Sequence, residues 1–566
     1  MNLTESKASF GLFHNRAAVM IAAAVYALLV LFALPNPAIH HQDENYYLES
    51  TRIMLDTGNW LIPYYSGVER INKPILFYWL ILPAQWIGGD GFFTIRLASL
   101  GAALLLFYCT YCIARQLRHS KEFSMLCVVI VATFDVVYRY AHYAVPEMAF
   151  TLMMTAAHLV FLKAFAPNAP AAQRRRYTLV FYAAMGLAFM IKGPAGIVLP
   201  LLTGVIYLSV TGRRGEILSL FSWKGGLILL AIILPWYAAV AASVGLERFA
   251  DMLSRETVAR VASEADPATY YLPVLMGTFL PWSLFALAGL WQWWRAQRPL
   301  APLLSFEWIW FITYFLFYSL LVGEKQAWYA LQWSVPFALL CARSLAPAGQ
   351  LLPHTGIYAF LAGLGLVVGV LFGAVGYSLG EIVASEAATT AFALTLLAPS
   401  VWMLVALFQQ WSGFTRFATL AAAAVLTHVV MFQWVFPTSH LRSVPDFVAE
   451  LRKPAQQYEL LTNERYYAKK LYLFEIPHLR VVMQQTNRDT FLYTYQQEDP
   501  HFIIASQPFW QTLPVKIQDR YQPVAHGYLK AKSGKGRRVE SLIEFLQSGE
   551  ADVLFDKMLL LRRRDF

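Results

Sequence analysis

The chain has 566 residues, of which 58% are hydrophobic, 15% aromatic and only 14% charged. Because the apolar residues form long uninterrupted blocks, the composition excludes an ordinary soluble protein and predicts a polytopic α-helical membrane protein. The net charge of +10 does not indicate a nucleic-acid partner, since the basic residues lie mainly in short loops on one predicted side of the membrane.

Apolar runs long enough to cross a bilayer predict about 13 transmembrane helices. They fall at 17–35, 92–113, 123–140, 147–166, 178–192, 194–211, 224–244, 271–291, 305–322, 327–345, 355–378, 389–409 and 416–436. Basic clusters follow even numbers of crossings, which places the N-terminus in the cytoplasm. With an odd number of crossings, the C-terminal region then lies outside.

Two predicted outside segments are long, 36–91 and 245–270. In the first, DENYYLESTRIMLDTG begins at Asp43, and Asp43, Tyr46, Tyr47 and Ser50 recur at helical spacing. Asp-Thr-Gly at 56–58 predicts the end of that helix. The alternative for the adjacent carboxylates at 43 and 44 is an ordinary solvated loop. Further on, ILFYWLILPAQWIG predicts a helix lying at the membrane surface.

After residue 437 the composition changes to that of a soluble domain. Charges become frequent, and β-prone runs such as LRVVM and HFIIA alternate with helix-like segments such as VPDFVAELRKPAQQYELL. The sequence therefore predicts a transmembrane domain at 1–437 and an extracytoplasmic α/β domain at 438–566.

Polar residues gather at the predicted outer ends of the helices. Arg70 and Lys73 close the first outside loop, Glu147 follows Pro146 at the start of a span, and Lys192 and Lys325 lie at outer ends. Alternatively, Glu147 is only a charge that complements the helix dipole, and Lys192 and Lys325 only extend their ammonium groups to the membrane interface. Cations beside carboxylates suit a substrate with a phosphate and a lipid tail, because cations hold phosphate and a carboxylate accepts a proton from a hydroxyl.

A series of motifs follows in order over about residues 17–345: DENYYLESTRIML, TGNWLIPYYSGVERINKPILFYWL, FTIRLASL, AHYAVPEMAFT, GLAFMIKGPAG, LPWYAAVA, FLPWSLF and EKQAWYALQWSVP. Their order resembles that of the glycosyltransferase C superfamily, and within it the aminoarabinose transferases of lipid A and protein mannosyltransferase-like enzymes. The resemblance implies a multi-pass protein of the bacterial inner membrane. It also implies inverting transfer of a sugar from a polyprenyl-phosphate donor to a glycolipid, glycan or protein acceptor.

The resemblance assigns roles to individual residues. Two acids are expected at the reaction centre: Asp43, as the base or key acid at the acceptor, and Glu147. Contacts with the donor phosphate are expected from Lys73, Lys325, Tyr329 and Arg260. The remaining pocket residues implied are Glu44, Tyr46, Tyr47, Arg70, Asn72 and Glu256.

The chain departs from this family at three of those positions. Asn72 and Glu256 stand where two family residues can hold zinc, and an amide with a carboxylate is a poor zinc pair. We therefore predict no metal site and no cofactor, with a divalent metal as the alternative. Tyr46 stands where arginine is common, so Arg70 or Arg260 is expected to restore the lost charge. These departures leave the sugar and the acceptor open.

Two rival functions share parts of this pattern. A lipid-linked glycan transporter or flippase predicts internal repeats and ionisable residues near the bilayer midplane. Asp135 is the residue nearest to such an ionisable group within a span. An ion pair with Arg139, one helical turn later, accounts for its presence there. A glycan ligase using diphosphate-linked donors has the same predicted topology and is the other alternative.

Overall fold

A computed structural model describes residues 26–31, 34, 41, 43–65, 67–117, 119–250, 266–295, 305–347, 351–352, 354–383, 385–435, 444–462, 479–483, 488–530 and 555–566. The chain divides into two compact units. The first comprises Met1–Asn36, Tyr46–Leu366 and Ala398–Val429, and the second comprises Pro37–Asn45, Val367–Leu397 and Val430–Phe566. The domain boundary at residue 437 stays a prediction.

Helices dominate up to residue 435. They are α1 (Glu44–Thr57), α2 (Leu76–Gly88), α3 (Phe92–Gln116), α4 (Lys121–Ala132), α5 (Asp135–His142), α6 (Glu147–Ala164), α7 (Ala171–Lys192), α8 (Ala195–Val210), α9 (Ile217–Leu220), α10 (Trp223–Val244), α11 (Tyr271–Thr278), α12 (Trp282–Arg295), α13 (Phe306–Leu316), α14 (Ser334–Leu345), α15 (Thr355–Val383), α16 (Glu386–Phe408) and α17 (Gly413–Val430). A short 3₁₀-helix, Ala327–Trp333, precedes α14.

Six of the described helices are long and apolar enough to cross a membrane, or eight if each of two bent pairs counts as one span. The chain is thus a polytopic membrane protein, as predicted. Three further apolar helices are shorter, Leu76–Gly88, Ala195–Val210 and Phe306–Leu321. Most of the predicted span at 17–35 lies outside the described residues.

Two of the predicted spans are bent, and each consists of a pair of helices with a short break between them. The segment 123–140 divides into α4 and α5 with a bend of 66°, and 271–291 divides into α11 and α12 with a bend of 113°. Pro281 lies at the second break and has no N–H with which to continue a helix. At the first break, Thr133 accepts a hydrogen bond of 2.9 Å from the indole N–H of Trp282. The two bends are therefore joined to each other.

The first outside loop folds as a helix followed by a tight hairpin. Helix α1 ends at Thr57, and Gly58 follows it with φ of +69°, a conformation that suits glycine. Strands β1 (Tyr64–Tyr65) and β2 (Val68–Glu69) then pair antiparallel. The indole of Trp236 in α10 donates a hydrogen bond of 2.9 Å to the carbonyl of Leu61. The predicted helix and its stop are confirmed.

The contact between α7 and α10 gives a test of the packing. A Cβ added at Gly225 would overlap the ring of Tyr182, whereas one added at Gly226 would meet nothing within 4 Å. We expect Gly225→Ala to destabilise the purified protein by about 1–3 kcal/mol, because the ring has to move. The matched control, Gly226→Ala, should leave the thermal unfolding temperature unchanged or raise it slightly. Equal effects of the two substitutions in a thermal unfolding assay would contradict this packing.

The C-terminal part of the second unit contains a five-stranded sheet in the order β4-β3-β5-β7-β6. The strands are β3 (Tyr458–Thr462), β4 (Leu479–Met483), β5 (Phe502–Ser506), β6 (Tyr521–Lys530) and β7 (Phe555–Arg563), and the helices are α18 (Val444–Leu451), α19 (Arg488–Glu498), α20 (Gln507–Gln511) and α21 (Val515–Gln518). Strand β3 pairs parallel with β4 and β5, whereas β7 pairs antiparallel with β5 and β6. Separate apolar cores cover the two faces, one around Phe447 and one around Phe491.

The sequence predicts two of the five strands and assigns the residues of a third, β3, to a helix-like segment. LRVVM forms β4, and most of HFIIA forms β5. The segment VPDFVAELRKPAQQYELL, however, is helical only to Leu451, and Tyr458 begins β3. Pro454 disfavours the helical conformation of the residue before it, so the chain leaves the helix there.

Candidate active site

Asp43 and Glu44 lie at the beginning of α1. Glu44 is the first helical residue and is fully buried, and its carboxylate accepts a hydrogen bond of 3.0 Å from the backbone N–H of His41. An acid at this end complements the positive end of the helix dipole. Asp43 directly precedes the helix and is half-buried, so it lies outside the helical face on which the sequence placed it. Glu44 thus caps α1.

Four aromatic rings and one guanidinium form a cluster, the tyrosine–arginine cluster, at the end of the hairpin. The guanidinium carbon of Arg70 lies 4.3 Å from the ring centre of Tyr46, 5.0 Å from that of Tyr47 and 5.9 Å from that of Tyr78. Arg70 also donates a hydrogen bond to the Tyr78 hydroxyl. Tyr65 packs edge-on against Tyr46 at 4.6 Å between ring centres. The rings hold the cation by cation–π attraction and by stacking.

Among the described residues, no acid pairs with Arg70 to neutralise its charge. Within the ranges that the structure describes, no carboxylate lies at ion-pair distance from Arg70, and the neighbouring Glu69 pairs with Arg248 at 3.5 Å. Burial by itself lowers the pKa of Arg70, but Tyr78 and Tyr47 raise it, and the net shift is upward. The guanidinium is therefore a permanent positive charge. Asn72 and Lys73, both half-buried, follow it before α2 begins.

A second cluster joins Glu147, Lys192 and Tyr329. Glu147 is the first residue of α6 and Lys192 the last residue of α7. The ammonium of Lys192 lies 3.0 Å from a carboxylate oxygen of Glu147, and the side chains of both are 12% exposed. The same ammonium lies 5.1 Å from the ring centre of Tyr329. That ring stacks on Tyr318 at 4.8 Å.

The sequence analysis placed Lys192 at an outer helix end, with snorkelling as the alternative, but did not name it as a site residue. Gly193 follows it with φ of +101° and ends α7, and Pro194 then precedes α8. This Lys-Gly-Pro run places the lysine at a helix end. Its acid partner lies 45 residues away in the sequence, so the run does not predict the ion pair.

Lys325 is placed differently from the expectation of a donor-phosphate contact. It is 4% exposed, and its ammonium donates hydrogen bonds to the carbonyls of Asp266, at 2.7 Å, and Val322, at 3.0 Å. Two of the three N–H groups of this ammonium are thereby used within the protein.

Glu256 and Arg260 lie outside the described residues, as does most of the predicted outside segment 245–270. In the part of the chain that the structure describes, no group of three or more His, Cys, Asp and Glu side chains is arranged to hold a metal ion. Because one member of the family zinc pair is outside that part, the lack of a metal stays a prediction.

Asp135 and Arg139 form the ion pair that the sequence predicts, one turn apart in α5. His428 of α17 lies 3.5 Å from the other carboxylate oxygen of Asp135. Asp135 thus has two partners within the protein. These contacts explain why a carboxylate lies in this helix, without the transport function considered as an alternative.

Comparison with known proteins agrees with the fold and with the motifs. Residues 17–244 match the family of dolichyl-phosphate-mannose-protein mannosyltransferases. The undecaprenyl phosphate-alpha-4-amino-4-deoxy-L-arabinose arabinosyl transferase 1 of Pseudomonas fluorescens is 30% identical over 63% of this chain and 66% of its own length. The corresponding protein of Pseudomonas aeruginosa is 28% identical over 78% of this chain and 79% of its own length.

The first of these alignments spans just under two thirds of the relative. Among solved structures, ArnT from Cupriavidus metallidurans bound to undecaprenyl phosphate superposes with a TM-score of 0.68, at 21% identity, over 90% of this chain and 96% of ArnT. The superposition establishes the fold. The protein is a polytopic membrane protein with the fold of ArnT from Cupriavidus metallidurans, and it is similar in sequence to the undecaprenyl phosphate-alpha-4-amino-4-deoxy-L-arabinose arabinosyl transferases.

Proposed function

We propose that the protein is a membrane glycosyltransferase that moves a sugar from undecaprenyl phosphate, or a related polyprenyl phosphate, to an acceptor at the outer face of the membrane. The tyrosine–arginine cluster carries the proposal. A guanidinium held by aromatic rings, with no carboxylate at ion-pair distance in the described ranges, suits a phosphate group. Support comes from the relatives named for transfer from undecaprenyl phosphate and from ArnT, which was solved with that lipid bound.

The proposed reaction is a single displacement. The acceptor hydroxyl attacks the anomeric carbon, its proton passes to Asp43, and the bond between that carbon and the phosphate oxygen breaks. The bonding electrons leave with the phosphate, which releases undecaprenyl phosphate and inverts the anomeric centre. Arg70 and Lys73 stabilise the charge that grows on the phosphate, and Arg260 is expected to add to them.

Glu147 and Lys192 complete the proposed site. Because Glu147 pairs with Lys192 at 3.0 Å, we assign the acid the role of holding the lysine in place beside Tyr329. The lysine then faces the sugar-phosphate. Glu44, which accepts a hydrogen bond from the backbone N–H of His41, is proposed to fix the position of Asp43 between these two residues.

The proposed topology has about 13 crossings, a cytoplasmic N-terminus and an outside domain at 438–566 in a bacterial inner membrane. The support is the distribution of basic loops in the sequence. Acceptors of three classes fit an outside site: a glycolipid, a glycan or a protein. No cofactor and no nucleic-acid partner are proposed.

The function is tested by mass spectrometry of envelope lipids, glycans and proteins from cells with and without the protein. We expect one acceptor to gain the mass of one sugar residue only when the protein is present. A transporter would instead leave all covalent masses unchanged and alter only the side of the membrane on which a lipid-linked sugar lies. A ligase would add a preassembled glycan released from a diphosphate-linked carrier.

Arg70 gives a more local prediction. Arg70→Lys keeps the charge but loses the planar group that stacks on Tyr46, so we expect the affinity of the purified protein for undecaprenyl phosphate to fall about tenfold. Arg248→Lys is the matched control, since Arg248 is exposed and lies near the same hairpin. An unchanged affinity of the Arg70→Lys variant would remove Arg70 from the phosphate site.

A further inference from the structure

Lys325 and Gln326 directly precede the 3₁₀-helix that carries Tyr329. They are hydrogen-bonded to Asp266 and Tyr271, which lie at the end of the predicted outside segment 245–270 and just after it. We infer that Lys325 is a positioning residue, which clamps these two segments together and so sets the place of Tyr329 beside Lys192. Its kinetic test rests on the function proposed above, whereas its structural test does not.

Three hydrogen bonds join Asp266 directly to the segment that begins at Gly323. The Lys325 ammonium donates to the Asp266 carbonyl at 2.7 Å, and the Lys325 backbone N–H donates to the Asp266 carboxylate at 2.8 Å. The Asp266 backbone N–H donates to the carbonyl of Gly323 at 3.1 Å. Each residue thus uses both its backbone and its side chain to hold the other.

The same ammonium also closes the end of the preceding helix. Val322 directly follows the last helical turn, Phe317–Leu321, and its carbonyl accepts from Lys325 at 3.0 Å. A cation at this end is favourable, because the last carbonyls of a helix lack partners and carry its negative dipole end. A charge that is 4% exposed requires such partners to remain inside the protein. The contacts account for the burial of Lys325 without a substrate.

Tyr271 makes a second link between the two segments. Its hydroxyl donates to the carbonyl of Gln326 at 3.1 Å and accepts from the N–H of Gln326 at 3.2 Å. Its fully buried ring packs edge-on against Trp333 at 5.2 Å. Because Gln326 directly precedes the 3₁₀-helix and Trp333 is its last residue, Tyr271 contacts both of its ends.

Tyr329 lies within the helix held in this way. Its backbone N–H donates to the carbonyl of Gln326 at 3.1 Å, and its ring stacks on Tyr318. On its other side, the ring centre lies 5.1 Å from the ammonium of Lys192. Loosening the clamp should therefore change the geometry between Tyr329 and Lys192 while both side chains remain present.

The structural test is amide hydrogen exchange of the purified protein without substrate. In Lys325→Met we expect the backbone amides of Asp266, residue 325 and Tyr329 to exchange about tenfold faster than in the unaltered protein. Lys325→Arg can still donate to both carbonyls, so it should keep part of the protection. Tyr271→Phe removes one hydroxyl and should also make the Tyr329 amide exchange faster. This variant provides the test if Lys325→Met does not fold. Lys224→Met, at an exposed lysine, is the control. Unchanged exchange at Asp266 and Tyr329 in both Lys325→Met and Tyr271→Phe would overturn the clamp.

The kinetic test separates a positioning residue from a phosphate ligand. With the donor identified by the envelope comparison, we expect Lys325→Met to lower kcat about 100-fold and to change the KM for the donor less than about twofold. In the double variant with Tyr329→Leu, which removes the ring beside Lys192, the two losses should be far from additive, because both act through Tyr329. A raised donor KM with normal amide exchange would instead make Lys325 a direct donor contact, and additive losses would make it a residue of general stability. If the unaltered protein transfers no sugar, the proposed function fails and the exchange experiment alone decides the clamp.

Discussion

Replacing Asp43 with Asn is expected to lower the rate of sugar transfer by about 10²- to 10⁴-fold, because an amide cannot take the proton of the attacking hydroxyl. The substitution should leave the fold intact. Asp43 directly precedes α1, and asparagine is as favourable as aspartate at the start of a helix. The measurement is the initial rate of transfer by purified protein, with the affinity for undecaprenyl phosphate measured on the same sample.

The same helix supplies a matched control. Asp56 is an exposed aspartate near the other end of α1, and Asp56→Asn should keep the transfer rate of the unaltered protein within about twofold. Near-normal transfer by Asp43→Asn, or an equal loss in both variants, would remove Asp43 from the reaction. A loss of lipid affinity together with the loss of rate would indicate unfolding of the loop instead.

The largest effect on stability is expected at the pair of Glu147 and Lys192. Lys192→Met takes the ammonium away from a carboxylate that is 12% exposed, and breaking a buried ion pair in this way costs about 3 kcal/mol or more. Transfer should fall as well, since Lys192 is proposed to face the sugar-phosphate. The measurements are the thermal unfolding temperature and the transfer rate. Lys163→Met, at the other end of α6, is the control.

A double substitution distinguishes the two roles of Lys192. In Glu147→Gln with Lys192→Met, no carboxylate remains without its ammonium, so we expect much of the stability to return while transfer stays low. If the loss of stability in the double variant equals the sum of the losses in the two single variants, the ion pair is not what holds α6 and α7 together at this end.

Local signals in the sequence predicted local structure well. Asp-Thr-Gly predicted the end of α1, because glycine follows the helix with a positive φ, and LRVVM predicted β4 from its β-branched residues. Pro146 and Glu147 predicted the start of α6 in the same way. In each case, the residues that decide the conformation lie within one or two turns of each other.

Contacts between distant segments were not predictable from one sequence. The pair of Glu147 and Lys192 depends on how α6 and α7 pack, and the burial of Lys325 depends on Asp266, which lies 59 residues earlier. The bends after α4 and α11 were missed because hydropathy alone does not distinguish a straight span from a broken one. The resemblance named Arg70, Tyr46 and Tyr47 as pocket residues. It did not predict that Tyr65 and Tyr78 join them, or that Arg70 lies over three rings.

The central claim is that the protein cleaves a lipid-linked sugar at its phosphate and transfers the sugar. The most direct measurement uses purified protein in liposomes that contain the undecaprenyl phosphate-linked sugar and the acceptor. It counts the undecaprenyl phosphate released against the sugar transferred. We predict one molecule of undecaprenyl phosphate for each sugar on the acceptor, with neither product formed by Asp43→Asn. Movement of the intact lipid-linked sugar across the bilayer, without release of undecaprenyl phosphate, would contradict the proposed function.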